Sequence, residues 1–202
     1  KKIKKHLTNY PISIIVQKHT QNIKDTVNMI DINYELMMNQ IVSEFIIIDK
    51  IPFYLLNICN VNLDYNKISA YSDLKDLVNK EFSIFDPSDY NSLFCISLYE
   101  HYSSYITMRE LFKEDLSEDI ITSILFQVLF AHAYLNFKLG NFRHNSFTID
   151  SFYVSKQDKL TSYLLTIGDL SFKLDNVRYL CKLFNYRNSS FGNMKNNFNC
   201  LH

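Results

Sequence analysis

The amino-acid sequence predicts an α+β chain, in which a small β-rich part is followed by a helical part. Two observations lead to this class. Short runs of β-branched and aromatic residues stand mostly in the first half of the 202-residue chain, and the longest pattern of helical period stands in the second half. Strands first and helices later are typical of α+β proteins, and the chain is long enough to bury a sizeable core.

Three elements are predicted before residue 60. Pro11 to Lys18 is short and β-branched and predicts a strand. Asp31 to Ile48 carries apolar residues at helical spacing and predicts an amphipathic helix, which Pro52 ends. Phe53 to Cys59 is apolar and predicts a second strand.

The middle of the chain alternates between polar and apolar segments. Residues 60–91 are polar and predict a long insertion with one short helix around Asp73–Asn79. Leu93 to Tyr99 is a compact apolar run and predicts a strand. Thr107 to Phe112 has a helical pattern.

The clearest helix is predicted over Asp119–Leu139. Ser117 stands where an N-cap is expected, and Gly140 stands where the C-terminal cap is expected.

Beyond the long helix the pattern changes to strands. Phe152–Val154 and Leu164–Ile167 predict two short strands, joined by a polar loop from Ser155 to Thr161. Asn176–Phe184 predicts another helix, and residues 188–202 are polar and predict a flexible tail.

The composition excludes several kinds of site. Three glycines cannot build a three-glycine phosphate loop and also serve the turns. Lys+Arg and Asp+Glu are equal at 21 each, which argues against attachment to nucleic acid or to an anionic membrane through bulk charge. The four cysteines stand far apart with no Cys/His pair at metal spacing, and no unbroken apolar run reaches membrane-spanning length. We therefore expect neither a zinc site, nor a nucleic-acid partner, nor a membrane span.

The order of predicted elements and one loop resemble a protein kinase domain over roughly residues 12–186. A kinase catalytic loop reads His-Arg-Asp, four further residues and Asn, followed by an apolar strand. Residues 144–151 read His-Asn-Ser, four further residues and Ser, and Phe152 to Val154 follow. Residues 167–171 resemble the metal-binding Asp-Phe-Gly segment, and residues 99–111 resemble the hinge with its short helix.

The resemblance implies two lobes. Residues 1–102 would form a small β-rich N-lobe, and residues 103–187 a truncated helical C-lobe. Kinases place a long activation segment before the next buried helix, but the predicted helix at 176–184 follows almost at once.

The resemblance also implies a nucleotide cleft with named residues. Lys18 is similar to the lysine that pairs with nucleotide phosphates. Glu35 is its expected partner on the helix, and Glu44 is the second candidate. Glu100 and Tyr102 stand at the hinge. Asp169 stands where the family holds its metal ion. No glycine precedes Lys18 in this chain, so the phosphate-covering loop is missing or lies outside it.

The catalytic positions themselves are degraded. Ser146 replaces the aspartate that takes the substrate proton, and a hydroxyl without a nearby base cannot do this near neutral pH. Ser151 replaces the metal-holding asparagine and is a poorer Mg²⁺ ligand. His144 is expected to pack within the loop and not to act in catalysis.

These departures predict a pseudokinase in the style of the kinases of giant DNA viruses. It would act as a binding or structural component in the host cytoplasm or the virion, with weak or no binding of Mg-ATP. One alternative is an active atypical serine/threonine kinase that uses ATP and magnesium, with Asp150 as a displaced base and a phosphate loop supplied by further N-terminal sequence. Another is a purely structural subunit of a virion or other large assembly. The expected partner is a protein or such an assembly.

Overall fold

The computed structural model describes residues 12–19, 23–73, 75–76, 93–100, 104–192 and 194–195. It is an α+β structure with small antiparallel sheets and several helices, as predicted from the sequence. The described strands and helices, in chain order, are β1 (Ile12–His19), α1 (Ile23–Ile47), β2 (Asn57–Asp64), α2 (Tyr65–Ser69), β3 (Leu93–Glu100), β4 (Ile106–Thr107), α3 (Met108–Leu111), α4 (Glu118–Leu139), β5 (Phe152–Ile167), β6 (Leu170–Leu183), β7 (Ser190–Phe191) and β8 (Met194–Lys195).

The chain divides into two compact units. The first contains residues 1–30 and 57–103, and the second contains residues 31–56 and 104–202. The sequence placed the division after residue 102, but it did not assign residues 31–56 to the second unit.

The first unit is built on an antiparallel sheet with the order β1-β3-β2. The central strand β3 is apolar, and its residues 94–97 are buried because it has a neighbour on each side. Helix α2 begins after Asp64, whose carboxylate accepts a hydrogen bond from the Lys67 backbone N–H at 2.8 Å. Ile68 and Tyr65 of this helix form a small core with Phe94.

The second unit is built around α4. Its buried residues recur at helical spacing and are Ile124, Gln127, Phe130, Ala131, Tyr134 and Leu135. They pack in one core with Met38 and Val42 of α1, with the connection 51–54, and with β5 and β6. Burial of this stripe explains why the helix prediction succeeded, because a core-crossing stripe must repeat every 3.6 residues.

Strands β5 and β6 form one long antiparallel hairpin. Its register runs from Phe152↔Leu183 to Ile167↔Leu170, with an irregularity between Lys156 and Tyr163. The turn is Gly168-Asp169, and Gly168 has a φ of +56°, as the first residue of a type II′ turn requires.

Two predictions in this region were therefore wrong. Residues 155–161 belong to strand β5 and are not a loop, and residues 176–183 belong to strand β6 and are not a helix. Residues 179–183 are all buried. In such a run some buried residues are three or four positions apart, as in a helix, whatever the conformation of the chain. Periodicity cannot separate a helix from a strand when every side chain is buried, and the pairing with β5 decides the conformation.

The second predicted strand was also misplaced. Phe53, Tyr54 and Leu55 are buried in the core of the second unit, and the strand β2 begins at Asn57. Tyr54 forms one isolated parallel bridge with Leu183. The apolar run therefore marks core residues on an irregular connection.

The polar segments contain more regular structure than predicted. Residues 60–69 of the predicted insertion lie in β2 and α2, and residues 72–73 and 75–76 are helical. The rest of the short helix expected around Asp73–Asn79 lies outside the described residues. Residues 188–192 of the predicted tail are placed by hydrogen bonds to residues 140–145, and residues 196–202 lie outside the described residues.

Helix α4 is long and apolar enough to cross a membrane by length and composition alone. Its stripe of core residues includes Gln127, whose side-chain amide makes hydrogen bonds to the backbone of β6. These contacts are those of a core helix in a globular unit.

Candidate functional site

The loop 143–151 and the segment 184–190 lie against each other. Arg143 and Ser190 exchange two backbone hydrogen bonds of 2.8 Å, and the Phe184 N–H donates to the Ser151 carbonyl at 3.0 Å. The hairpin brings the two segments together. Strand β5 begins at Phe152, directly after the loop, and β6 ends at Leu183, which pairs with Phe152. The candidate site is the pair formed by this loop and this segment.

His144 is buried in the loop, with 1% of its surface exposed. Its Nε2 lies 3.2 Å from the Phe184 carbonyl oxygen. The ring centroids of Phe147 and Tyr186 each lie 5.7 Å from the centroid of the His144 ring. Burial lowers the pKa of His144, so the ring is neutral near pH 7 and Nε2–H donates to the carbonyl. A ring held in this way orients the segment 184–190 and does not face solvent as a base.

The two serines at the degraded positions are engaged in the structure of the loop. The Ser146 hydroxyl oxygen accepts a hydrogen bond from the Asn188 amide at 2.8 Å. The Ser151 hydroxyl is buried and donates to the Ser146 carbonyl at 2.6 Å. Both hydroxyls therefore close the loop onto itself and onto the segment 184–190.

Asp150 is an exposed carboxylate held by Arg109. The two guanidinium nitrogens Nε and Nη2 donate to its two oxygens at 2.7 and 2.6 Å. These hydrogen bonds lower the pKa of Asp150 below its ordinary value of 3.8. The pair joins α3 to the one-turn 3₁₀ helix at Ile149–Ser151.

We expect Asp150→Asn to reduce stability near neutral pH and to have a smaller effect near pH ~2. The pKa of this carboxyl is lower in the folded than in the unfolded chain. Its stabilisation is therefore complete above 3.8 and is lost as the pH falls through the folded pKa. Urea unfolding at the two pH values checks this, with Asp158→Asn on β5 as the matched control. An equal effect of Asp150→Asn at both pH values would contradict the ion pair.

The segment 184–190 carries amides, hydroxyls, aromatic rings and one guanidinium but no carboxylate. Asn185 adopts a positive φ of 64°, a conformation that asparagine tolerates better than most residues. Tyr186 is fully buried, and its hydroxyl donates to the Leu183 carbonyl at 3.0 Å. The segment therefore turns sharply at Asn185, directly after β6.

The residues predicted for a nucleotide cleft are distributed over both units. Lys18 lies in β1 opposite Phe94, and its side chain is not among the side chains that the structure describes. Glu100 is the last residue of β3 and lies opposite Ile12. Tyr102 lies outside the described residues. The pairing of Lys18 with Glu35 of α1 stays a prediction.

Asp169 lies exposed in the hairpin turn and not in the segment that contacts the loop 143–151. In the part of the chain that the structure describes, no three His, Cys, Asp or Glu side chains form a group that could hold a metal ion. Metal binding by Asp169 is therefore without support from neighbouring ligands among those residues.

Sequence reasoning missed the segment 184–190 as part of the site. Its contacts with the loop join residues about 40 positions apart, such as His144 and Phe184. The available signal was the Gly-Asp pair at 168–169 between two alternating runs, which is typical of a tight hairpin turn. That reading would have placed residues 184–190 beside the loop.

Comparison of the sequence with protein-family models and with curated proteins found no match. Conclusions about function therefore depend on the geometry of the loop 143–151 and the segment 184–190.

Proposed function

We propose that this chain has a protein kinase-like fold that has lost phosphotransfer, and that it acts as a binding or structural module. The observation that carries the proposal is the residue placed after the hairpin. In a kinase the metal-binding aspartate follows the hairpin that leaves the catalytic loop. Here the hairpin ends at Leu183, and the chain continues as Phe184-Asn185-Tyr186.

The order of the described elements supports the kinase-like relationship. The main elements are β1 with Lys18, α1 with Glu35, β2, β3, the long helix α4, the histidine-containing loop and the hairpin of β5 and β6. The short elements α2, β4 and α3 lie between them. Within this proposal Asn185, and not Asp169, takes the place of the metal-binding residue. An amide oxygen carries no net charge, so Asn185 would hold the bridging Mg²⁺ less strongly than the carboxylate that stands at this position in active kinases.

The state of the loop supports the loss of catalysis. Ser146 and Ser151 use their hydroxyl oxygens to hold the loop, and neither has a general base beside it among the contacts described above. Asp150 was the displaced base of the active-kinase alternative. Because Arg109 occupies both of its oxygens and lowers its pKa, Asp150 is a weak base near neutral pH.

We expect the purified chain to incorporate no phosphate from radiolabelled ATP with Mg²⁺, either into itself or into generic protein substrates. Phosphate incorporation that Asp150→Asn abolishes, and Asp158→Asn does not, would show that the active-kinase alternative is correct. Phosphate incorporation that Asp169→Ala abolishes would indicate that Asp169 in the hairpin turn binds the metal ion. Either result would overturn the proposal.

Thermal unfolding with Mg-ATP separates the remaining roles. A ligand that binds only the folded chain raises its melting temperature. An increase that Asn185→Ala removes would indicate a nucleotide-responsive binding module. An unchanged melting temperature would favour a purely structural component of a virion or another large assembly, in a host cell infected by a giant DNA virus.

A further inference from the structure

The solvent side of α4 is apolar, although a surface helix normally carries polar residues there. Ile121, Leu125 and Leu129 follow one another four residues apart and are exposed, with 67% of Leu129 in contact with solvent. Ala133 continues the row, and Phe147 of the loop 143–151 lies beside it. We call these five residues the apolar face. Contiguous exposed apolar residues of this kind are often functional on the surface of a monomer.

A groove of about 600 Å³ forms one end of the apolar face. Leu129, Ala133 and Phe147 line it together with Arg143. Arg143 is exposed, and it takes part in none of the salt bridges found among the described residues. The groove is therefore apolar with a positive charge at its rim, which fits an apolar side chain that has a carboxylate near it.

The other end of the same helix carries carboxylates that could pair with this positive charge. The first turn of α4 carries Glu118 and Asp119, both exposed and likewise outside those salt bridges. Ile121 and Leu125 follow directly. From Glu118 to Ala133 the helix rises about 22 Å at 1.5 Å per residue, so the opposite charges stand at opposite ends of one apolar row.

We propose that the apolar face is the interface of a symmetric homodimer in which two copies of α4 pack antiparallel. A two-fold axis between Leu125 and Leu129 would place the acidic first turn of each copy beside Arg143 of the other. Such an isologous contact satisfies both charged ends with one surface. A membrane surface is the poorer occupant, because interfacial helices carry Lys and Arg along the face and this one begins with two acids.

This inference stands apart from the proposed loss of phosphotransfer, and its test uses no nucleotide. Sedimentation equilibrium of the full chain between ~1 and ~100 µM is expected to show a monomer–dimer equilibrium. Leu129→Asp is expected to weaken the dimer at least about tenfold, because it places a charge at the centre of the interface. Since Leu129 is exposed, this variant should keep its circular dichroism spectrum and melting behaviour.

Leu164→Asp is the matched control. Leu164 is 76% exposed on β5, outside the apolar face, so this substitution should leave dimerisation unchanged. A wild-type chain that is monomeric at ~100 µM overturns the proposal. So does an equal effect of the two substitutions. Binding to phospholipid vesicles that Leu129→Asp abolishes, by a chain that stays monomeric, overturns it in favour of a membrane surface.

A charge exchange tests the antiparallel arrangement itself. Two variants are compared, one with Arg143→Glu and one with both Glu118→Arg and Asp119→Arg. Each variant by itself should form a weaker homodimer, because like charges then meet at both ends. An equimolar mixture of the two variants should restore dimerisation, since in the heterodimer opposite charges meet at both ends. A mixture no more dimeric than its components overturns the antiparallel pairing.

Discussion

Replacement of Tyr54 by Ala is expected to lower the free energy of unfolding by about 3–5 kcal/mol. Tyr54 is fully buried in the core of the second unit, where its ring contacts the edge of Phe45 at a centroid distance of 6.3 Å. Its hydroxyl donates to the Ala131 carbonyl of α4 at 2.8 Å. Burial holds the pKa of Tyr54 well above its ordinary value of 10.0, so the hydroxyl keeps its proton and remains a donor.

Tyr54→Phe separates the hydrogen bond from the packing. It retains the ring and removes only the hydroxyl, so we expect a loss of about 1 kcal/mol. Urea unfolding followed by circular dichroism measures both variants. Because small domains are stable by only about 5–15 kcal/mol, the alanine variant should be partly unfolded at moderate temperature. Equal losses for the two variants would mean that the ring contributes little to the core.

Replacement of Gln127 by Ala is expected to cost about 2–4 kcal/mol. Gln127 is fully buried on α4, and its amide makes hydrogen bonds of 2.9 Å to the Tyr179 carbonyl and from the Cys181 N–H of β6. The side chain therefore pairs with the edge of β6 as a neighbouring strand would. Without it, one buried carbonyl and one buried N–H are left without their partner.

Gln127→Glu is the informative companion. A carboxylate can still accept from the Cys181 N–H, but it repels the Tyr179 carbonyl oxygen and is costly to bury as an ion. We expect this variant to be destabilised at neutral pH and to recover as acid protonates the new carboxyl. Thr122→Ala on the exposed side of α4 is the control. A Gln127→Ala variant as stable as this control would contradict the role assigned to the amide.

The elements that sequence reasoning identified are those in which local chemistry decides the conformation. The helix predicted over Asp119–Leu139 is observed over Glu118–Leu139, and Gly140 follows it with a positive φ of 62°. The strand predicted over Leu93–Tyr99 is observed over Leu93–Glu100. The helix has a regular stripe of buried residues, and a glycine marks its end. The strand is a short apolar run, and the length of that run sets its bounds.

The elements that it missed are those decided by distant partners. Residues 176–183 form a strand because β5 pairs with them, and the run at Phe53–Leu55 packs in a core although it extends no sheet. Neither outcome is visible in the segment itself. The pairing partner of β6 lies up to about 30 residues away, and the core around Tyr54 includes α4.

The sequence by itself determined which chemical groups stand in the loop 143–151. Serines occupy positions 146 and 151, and no folding of the chain can supply the missing side chains there. Only the tertiary structure decided which segment faces that loop. The hydrogen-bonded register of β5 with β6 turns the chain at Gly168-Asp169 and returns it at Leu183, so Phe184 and the residues after it meet the loop. Register is a property of two strands together, so it cannot be read from one strand alone.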